Sequence, residues 1–287
     1  MELRHVAQRQ GRLSSFLKGE MEMSTGLMNK LKWGDEIRVN GVCQRTNYSV
    51  VPGDVITVRL DEPEPEYPAE YGELKVVYED EHILAVDKPA GMLIHPSHSA
   101  NTGTLANLVA GYYKRTGQKS AFHPVTRLDR DTFGIVLLAK NAHVHSLLNE
   151  LHSLGALRKT YHAVVFGGPE EESGVIDVPI ARRPLPSLLR YVGEAGKPSV
   201  TEFRVLERRE KVCKLELRPV TGRTHQLRVH CAHMGYPILG DPQYGTEESI
   251  AFAPELSSQL LCAKRLEFIH PITKESMVLE SGMDTSY

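Results

Sequence analysis

Residues 123–141 read HPVTRLDRDTFGIVLLAKN. Arg127, Asp129, Arg130 and Asp131 crowd together immediately ahead of the apolar run GIVLLA. A run this short and this apolar suits a buried strand. The charged loop before it would then deliver a carboxylate to the floor of a cleft. The alternative is a solvated turn carrying a surface ion pair, and composition alone leaves both open.

Working outward, residues 142–155 read AHVHSLLNELHSLG. Val144, Leu147, Leu148 and Leu151 fall at i, i+3, i+4 and i+7, which predicts a helix stopped at Gly155. Upstream, TLANLVAGYYKRTG (104–117) predicts a second helix through Leu105, Leu108, Val109 and Tyr112, with Gly117 as its stop. LKVVYED (74–80) and HILAVDKP (82–89) read as a hairpin pair, and LRKTYHAVVFG (157–167) as a strand. In CKLELRP (213–219), Cys213, Leu215 and Leu217 alternate with Lys214, Glu216 and Arg218, so one face is wet. THQLRVHCAHMG (224–235) is a short helix after a Thr-Gly turn. Scattered strands with few helices predict an α+β domain over 74–287, built on a mostly antiparallel mixed sheet.

Residues 61–73, opening DEPEPEYPAEYG, read as an acidic, proline-rich, semi-extended linker. Before it, residues 1–60 form a small α/β unit. Leu13, Phe16 and Leu17 mark one short helix; Leu27, Leu31 and Trp33 mark a second, ending near Gly34. IRVNGV predicts a strand and tight turn at Asn40-Gly41. VVPGDVITVRL predicts a Pro-Gly-Asp turn and a strand with Ile56, Val58 and Leu60 on one side.

The 287 residues carry a net charge of -2, with 41% hydrophobic and 24% charged residues. That is the composition of an ordinary globular protein. It excludes a uniformly basic surface, so any nucleic-acid contact must come from local patches. Cys43, Cys213, Cys231 and Cys262 form no CxxC pair and are expected as reduced thiols. MELRHVAQRQ lacks the apolar core of a signal peptide, and no apolar run approaches the ~20 residues that span a bilayer. A soluble, cytoplasmic monomer is expected.

Two further stretches concentrate polar chemistry. RPVTGRTHQLRVHCAHMGYPILGD (218–241) gathers Arg223, His225, Gln226 and Arg228 in one turn and helix start. Planar donors of this kind suit carboxylate and phosphate. LRKTY places Arg158, Lys159 and Tyr161 at a strand entry. His225, His230, Cys231 and His233 lack a second Cys/His pair at finger spacing, so no metal is expected. No GxSxG elbow, P-loop or dinucleotide fingerprint occurs, and no cofactor is expected.

RLDRDTFG (127–134) resembles the RLDxxTSG signature of the RluA class of pseudouridine synthases. KPAGMLIHP (88–96), LRKTY, TGRTHQLRVH, GYPILGD and FIHP resemble further motifs of that class, in the same order, over residues 74–280. Residues 1–60 are similar to a small RNA-binding module shared by a small-subunit ribosomal protein and tyrosyl-tRNA synthetases. There the usual paired basic positions are Ser24, Thr25 and Gly26.

The resemblance implies the pseudouridine synthase fold and conversion of RNA uridines to pseudouridine without metal or redox cofactor. It implies Asp129 as the catalytic carboxylate, with Asp131 as its rival. Arg228 is then the partner of Asp129, and Tyr161 stacks on the flipped-out base and is a candidate for the late deprotonation at C5. Arg127 and Arg130 flank the carboxylate as RNA-binding candidates, joined by Lys88, Lys159 and Arg223. Three positions depart from the class: Thr126 and Cys262 replace histidine, and Phe133 replaces serine, its bulk expected to alter the pocket. The implied substrate is ribosomal RNA, large-subunit RNA first, with transfer RNA as the alternative. A non-catalytic RNA-binding or ribosome-assembly factor would not require Asp129, Tyr161 and Arg228 together. A glycosidase would need a second matched carboxylate.

Overall fold

The computed structural model describes residues 1–63, 66–97 and 101–287; Glu64 and Pro65 of the linker lie outside the described residues. In the N-terminal unit, helices Leu13–Lys18 and Thr25–Leu31 pack on a four-stranded sheet, with Glu2–Val6, Val55–Arg59, Ile37–Val39 and Val42–Cys43 in spatial order. Ser24 caps the second helix by accepting from the Leu27 N–H at 3.2 Å. Asn40 and Gly41 both take positive φ, as a two-residue hairpin turn of the primed type requires. Leu13, Phe16, Leu17, Ile56 and Val58 are fully buried, the last two on the strand face expected of them. Trp33 departs from the expected helical stripe. It is 72% exposed, with the Arg45 guanidinium 5.1 Å from its ring. The helix ends at Leu31, so Trp33 lies beyond the packed turn.

The main sheet has ten strands. Eight follow one path: Ser173–Asp177, Val200–Arg208, Val212–Pro219, Arg158–Phe166, Leu261–Ile269, Phe133–Ala139, Ile83–Lys88 and Lys75–Glu79. His123–Pro124 and Ser276–Glu280 pair off this path. Among the described residues, every pairing in this sheet is antiparallel except Phe133–Ala139 with Leu261–Ile269, which touch in parallel through Phe133↔Cys262 and Gly134↔Ala263. The strands come this close because Gly134 has φ +108 and its missing Cβ would strike the Ala263 backbone.

The Phe133–Ala139 strand is covered on both faces. Ile135 and Leu137 join Val144 and Leu148 of the Ala142–Ser153 helix in one cluster. Val136 and Leu138 join Leu105, Val109 and Tyr113 of the Leu105–Thr116 helix in another. The two helices flank this strand in sequence and clamp it in space.

The linker is tied down more firmly than its composition suggests. Glu62 accepts from the Ala142 N–H at 2.7 Å and pairs with His123 at 2.9 Å. Asn107 donates to the Pro68 carbonyl, and Glu70 accepts from the Gly103 N–H. The carboxylates find donors in the larger domain that follows, so the described part of the linker lies along it. Among the described residues, no helix is long and apolar enough to cross a membrane.

Candidate active site

Three chain segments meet over the parallel contact at the middle of the sheet. Asp129 stands in the loop between His123–Pro124 and Phe133–Ala139. Tyr161 lies in Arg158–Phe166, where the register with Leu261–Ile269 shifts between Thr160 and Tyr161. Arg228 lies in the Gln226–His233 helix. All three line one cleft of about 510 Å³. The loop is fixed from below: Thr126 Oγ1 accepts from the Leu137 N–H at 2.9 Å, and Thr132 Oγ1 accepts from Gln259 at 3.2 Å.

Arg228 Nη1 stands 3.4 Å from Asp129 Oδ2, the pairing the family resemblance implies. Its tighter partner is another carboxylate. Nε and Nη2 donate to the two oxygens of Asp241 at 2.7 and 2.8 Å, and Nη2 also donates to Gln243 Oε1 at 2.8 Å. Asp241 is itself buried and accepts the Gln243 and Tyr244 backbone N–H groups at 2.9 and 3.1 Å. Such a fork needs a planar donor array, which lysine lacks. Burial alone would depress the Arg228 guanidinium, but the hydrogen bond and charge of Asp241, with Asp129 added, hold it above its ordinary value. The Tyr244 ring packs under it at 5.0 Å. Asp129 keeps 31% of its side chain exposed, open to the cleft.

Tyr161 is buried, and desolvation, reinforced by the Asp129 charge, pushes its hydroxyl well above the ordinary tyrosine value. It remains protonated at neutral pH and can donate. Arg127, Arg130, Lys159 and Arg223 line the same cleft. Arg130 also pairs with Asp131 at 3.1 Å, which ties up the rival carboxylate. Lys159 Nζ sits 3.0 Å from His152 Nε2, and burial lowers its ammonium.

Lys88 does not join the cations that line the cleft. Its side chain is fully buried, and all three ammonium protons are donated to the carbonyls of Pro89, Met92 and Arg130 at 2.8–2.9 Å. No phosphate can reach it; it braces the loop that carries Asp129. Of the three departures, Phe133 is not among the residues lining the cleft. Cys262 is buried, its thiol pushed up to about 12 by desolvation. His230 spends both ring nitrogens inside the protein, on Thr201 Oγ1 at 2.9 Å and the Val178 carbonyl at 3.2 Å. Among the described residues, no group of three or more His, Cys, Asp and Glu is arranged to hold a metal ion.

The sequence reading misses Asp241, Gln243, Tyr244 and His152 as parts of this site. Asp241 ends GYPILGD, and a cationic residue on the inner side of a short helix was the available signal, because a buried guanidinium requires a fixed counter-charge.

Residues 82–233 match the family model described as RNA pseudouridylate synthase. The chain belongs to this family. An uncharacterized RNA pseudouridine synthase of Bacillus subtilis is 39% identical over 282 residues, covering 96% of this chain and 91% of that relative. Ribosomal large subunit pseudouridine synthase D of Pseudomonas aeruginosa is 34% identical over 261 residues, covering 88% and 81%. The solved human RNA pseudouridylate synthase domain containing 1 superposes with a TM-score of 0.60 at 24% identity, over 77% of this chain and 93% of that one, and shows the shared fold. The protein is an RNA pseudouridine synthase of the RluA class, an isomerase acting on RNA. The α+β expectation holds, with the mostly antiparallel sheet as its frame.

Proposed function

We propose that this synthase isomerises specific uridines of ribosomal RNA, in the large subunit before transfer RNA, as a cytoplasmic monomer. The observation that carries the catalytic reading is the convergence of Asp129, Tyr161 and Arg228 on one cleft, with Asp129 and Arg228 3.4 Å apart. The large-subunit assignment draws on relatives named ribosomal large subunit pseudouridine synthases. Four free cysteines fit a reducing compartment.

In this reading a uridine is everted into the cleft, because its reacting atoms are inaccessible in a stacked helix. Tyr161 packs on the base, a contact worth ~1–3 kcal/mol. Asp129, beside the Arg228 guanidinium, either attacks C1′ or removes a proton from the sugar. The C1′–N1 bond breaks, the base turns, and C5 bonds to C1′ as the Asp129 ester is released or the abstracted proton is returned to the sugar; the C5 proton then leaves while N1 gains one. No electrons are exchanged with an outside reagent. Arg127, Arg130, Lys159 and Arg223 meet the phosphates, which position RNA without reading sequence. Residues 1–60 add a second, weaker grip on the RNA.

The test is to map pseudouridines by carbodiimide-based primer extension in a strain lacking the gene. Large-subunit positions should lose the mark, regain it with the restored protein, and stay unmarked with Asp129→Asn. Restoration by Asp129→Asn would remove Asp129 from the chemistry, and loss of marks only in transfer RNA would move the substrate there.

A further inference from the structure

The turn opening the Gln226–His233 helix holds a histidine that the reaction above leaves unused. His225 has φ +57, a conformation uncommon for any residue but glycine, so surrounding contacts must hold it there. Its ring lines the cleft and is 16% exposed. Nδ1 lies 2.9 Å from the Tyr244 hydroxyl, and Nε2 lies 3.9 Å from Asp129 Oδ2.

The hydrogen-bond chain behind it favours one tautomer. The Arg190 backbone N–H donates to Tyr244 Oη at 2.9 Å. Among the described contacts of Tyr244 Oη, Arg190 N–H is a donor and His225 Nδ1 is the one group that can take the hydroxyl proton. The imidazole proton then resides on Nε2, facing Asp129. Burial favours the neutral ring; among the charged groups facing it, Asp129 and the more distant Asp241 favour protonation, while Arg228 and Arg190 oppose it.

We propose that His225, as the neutral Nε2–H tautomer set by the Arg190–Tyr244 relay, is the second donor to Asp129. Arg228 Nη1 addresses the same oxygen, Oδ2, at 3.4 Å. Two donors on Oδ2 leave Oδ1 as the oxygen that meets the ribose. The 3.9 Å separation closes to hydrogen-bonding distance when RNA fills the cleft, as catalytic contacts commonly tighten on substrate binding. Tyr244 is a positioning residue with two uses: its ring supports Arg228 and its hydroxyl orients His225. This role rests on Asp129 being the reacting carboxylate.

Tyr244→Phe separates those uses, since the ring under Arg228 remains and only the hydroxyl is lost. His225→Gly suits the positive φ and removes only the ring. The tautomer is read by ¹⁵N-detected NMR on histidine-labelled full-length protein, with His225→Gly assigning the signal. Wild type should show Nε2–H. Tyr244→Phe should give mixed tautomers and lower kcat about tenfold with KM little changed, the loss expected for one donor on a charged group. His225→Gly should lower kcat at least as far. An Nδ1–H tautomer in wild type, or wild-type kcat in Tyr244→Phe, overturns the proposal. Normal turnover by Asp129→Asn would instead remove the carboxylate from the chemistry, and this role with it, whatever the tautomer.

Discussion

Two cations lie buried beside the Asp129 loop, and the protein holds them in opposite ways. On the cleft wall, Arg228 is gripped by the carboxylates of Asp241 and Asp129, and its charge is reinforced. Beneath the loop, Lys88 is held by three carbonyls, and desolvation outweighs the attraction of Asp131 and Asp129, lowering its ammonium to about 8. Carbonyl dipoles satisfy an ammonium's hydrogen bonds but do not neutralise it, whereas a carboxylate does both. The guanidinium is therefore locked in charge, and the lysine is a buried group poised to titrate.

The strongest way to break this comparison is to remove the locked cation. Arg228→Ala leaves Asp241, fully buried, without its partner, and strands Asp129 beside it. Removing one member of a buried pair costs about 3–5 kcal/mol. Chemical denaturation should show that loss, and turnover should fall to background even where the protein remains folded. Near-wild-type stability would mean that Asp241 tolerates burial without a counter-charge.

The second effect belongs to Lys88 alone. Its folded-state value is depressed, so between about pH 8 and the unfolded value of 10.5 the unfolded chain binds more protons. Stability therefore rises with pH across that window, by up to roughly 3 kcal/mol, and the burial penalty is at its fullest below pH 8. Activity should move the other way. An uncharged amine has one donor fewer, so one of the three carbonyls loosens and the Asp129 loop with it. Denaturation curves and turnover taken from pH 7 to 10, in wild type and Lys88→Met, should show opposed trends that the variant lacks. Parallel trends in the two proteins would assign the titration elsewhere.

Lys88→Met at neutral pH sharpens the same contrast with a smaller effect. It leaves carbonyls unpaired but no bare charge, so the loss should be about 2 kcal/mol, below that of Arg228→Ala. A thermal shift that exceeds the Arg228→Ala shift would reverse the ranking.

How far these arrangements are legible in the sequence depends on which interactions make them. The Phe133–Ala139 strand is legible because an unbroken apolar run needs cover on both faces, and the amphipathic helices beside it supply that cover. The convergence of Asp129, Tyr161 and Arg228 is legible only through motif resemblance, since Asp129 and Arg228 stand 99 positions apart. The Asp241 fork is not legible from periodicity, because its partner lies in a loop 13 positions beyond Arg228 and loop contacts carry no repeat. Lys88 misleads for a different reason. Lysine is almost always solvated, and only the folding of two loops over it closes its cage. Trp33 misleads because helical spacing continues in the sequence past the point where the helix stops.

The smallest effect completes the series by placing the same kind of charge in water. Lys274 Nζ pairs with Glu22 at 2.8 Å, joining the residues after the main sheet's Leu261–Ile269 strand to the N-terminal unit, with both side chains more than half exposed. Here the ions are already solvated, so neither desolvation nor an orphaned partner penalises their separation. Lys274→Ala should cost no more than about 0.5 kcal/mol, with any loss fading as salt screens the pair. Denaturation midpoints at low and high ionic strength check this. A salt-insensitive loss of several times that size would mean that the contact between the two units, rather than the ion pair, had been disturbed. Charge near the catalytic loop would then not be the main divide between costly and cheap cations in this fold.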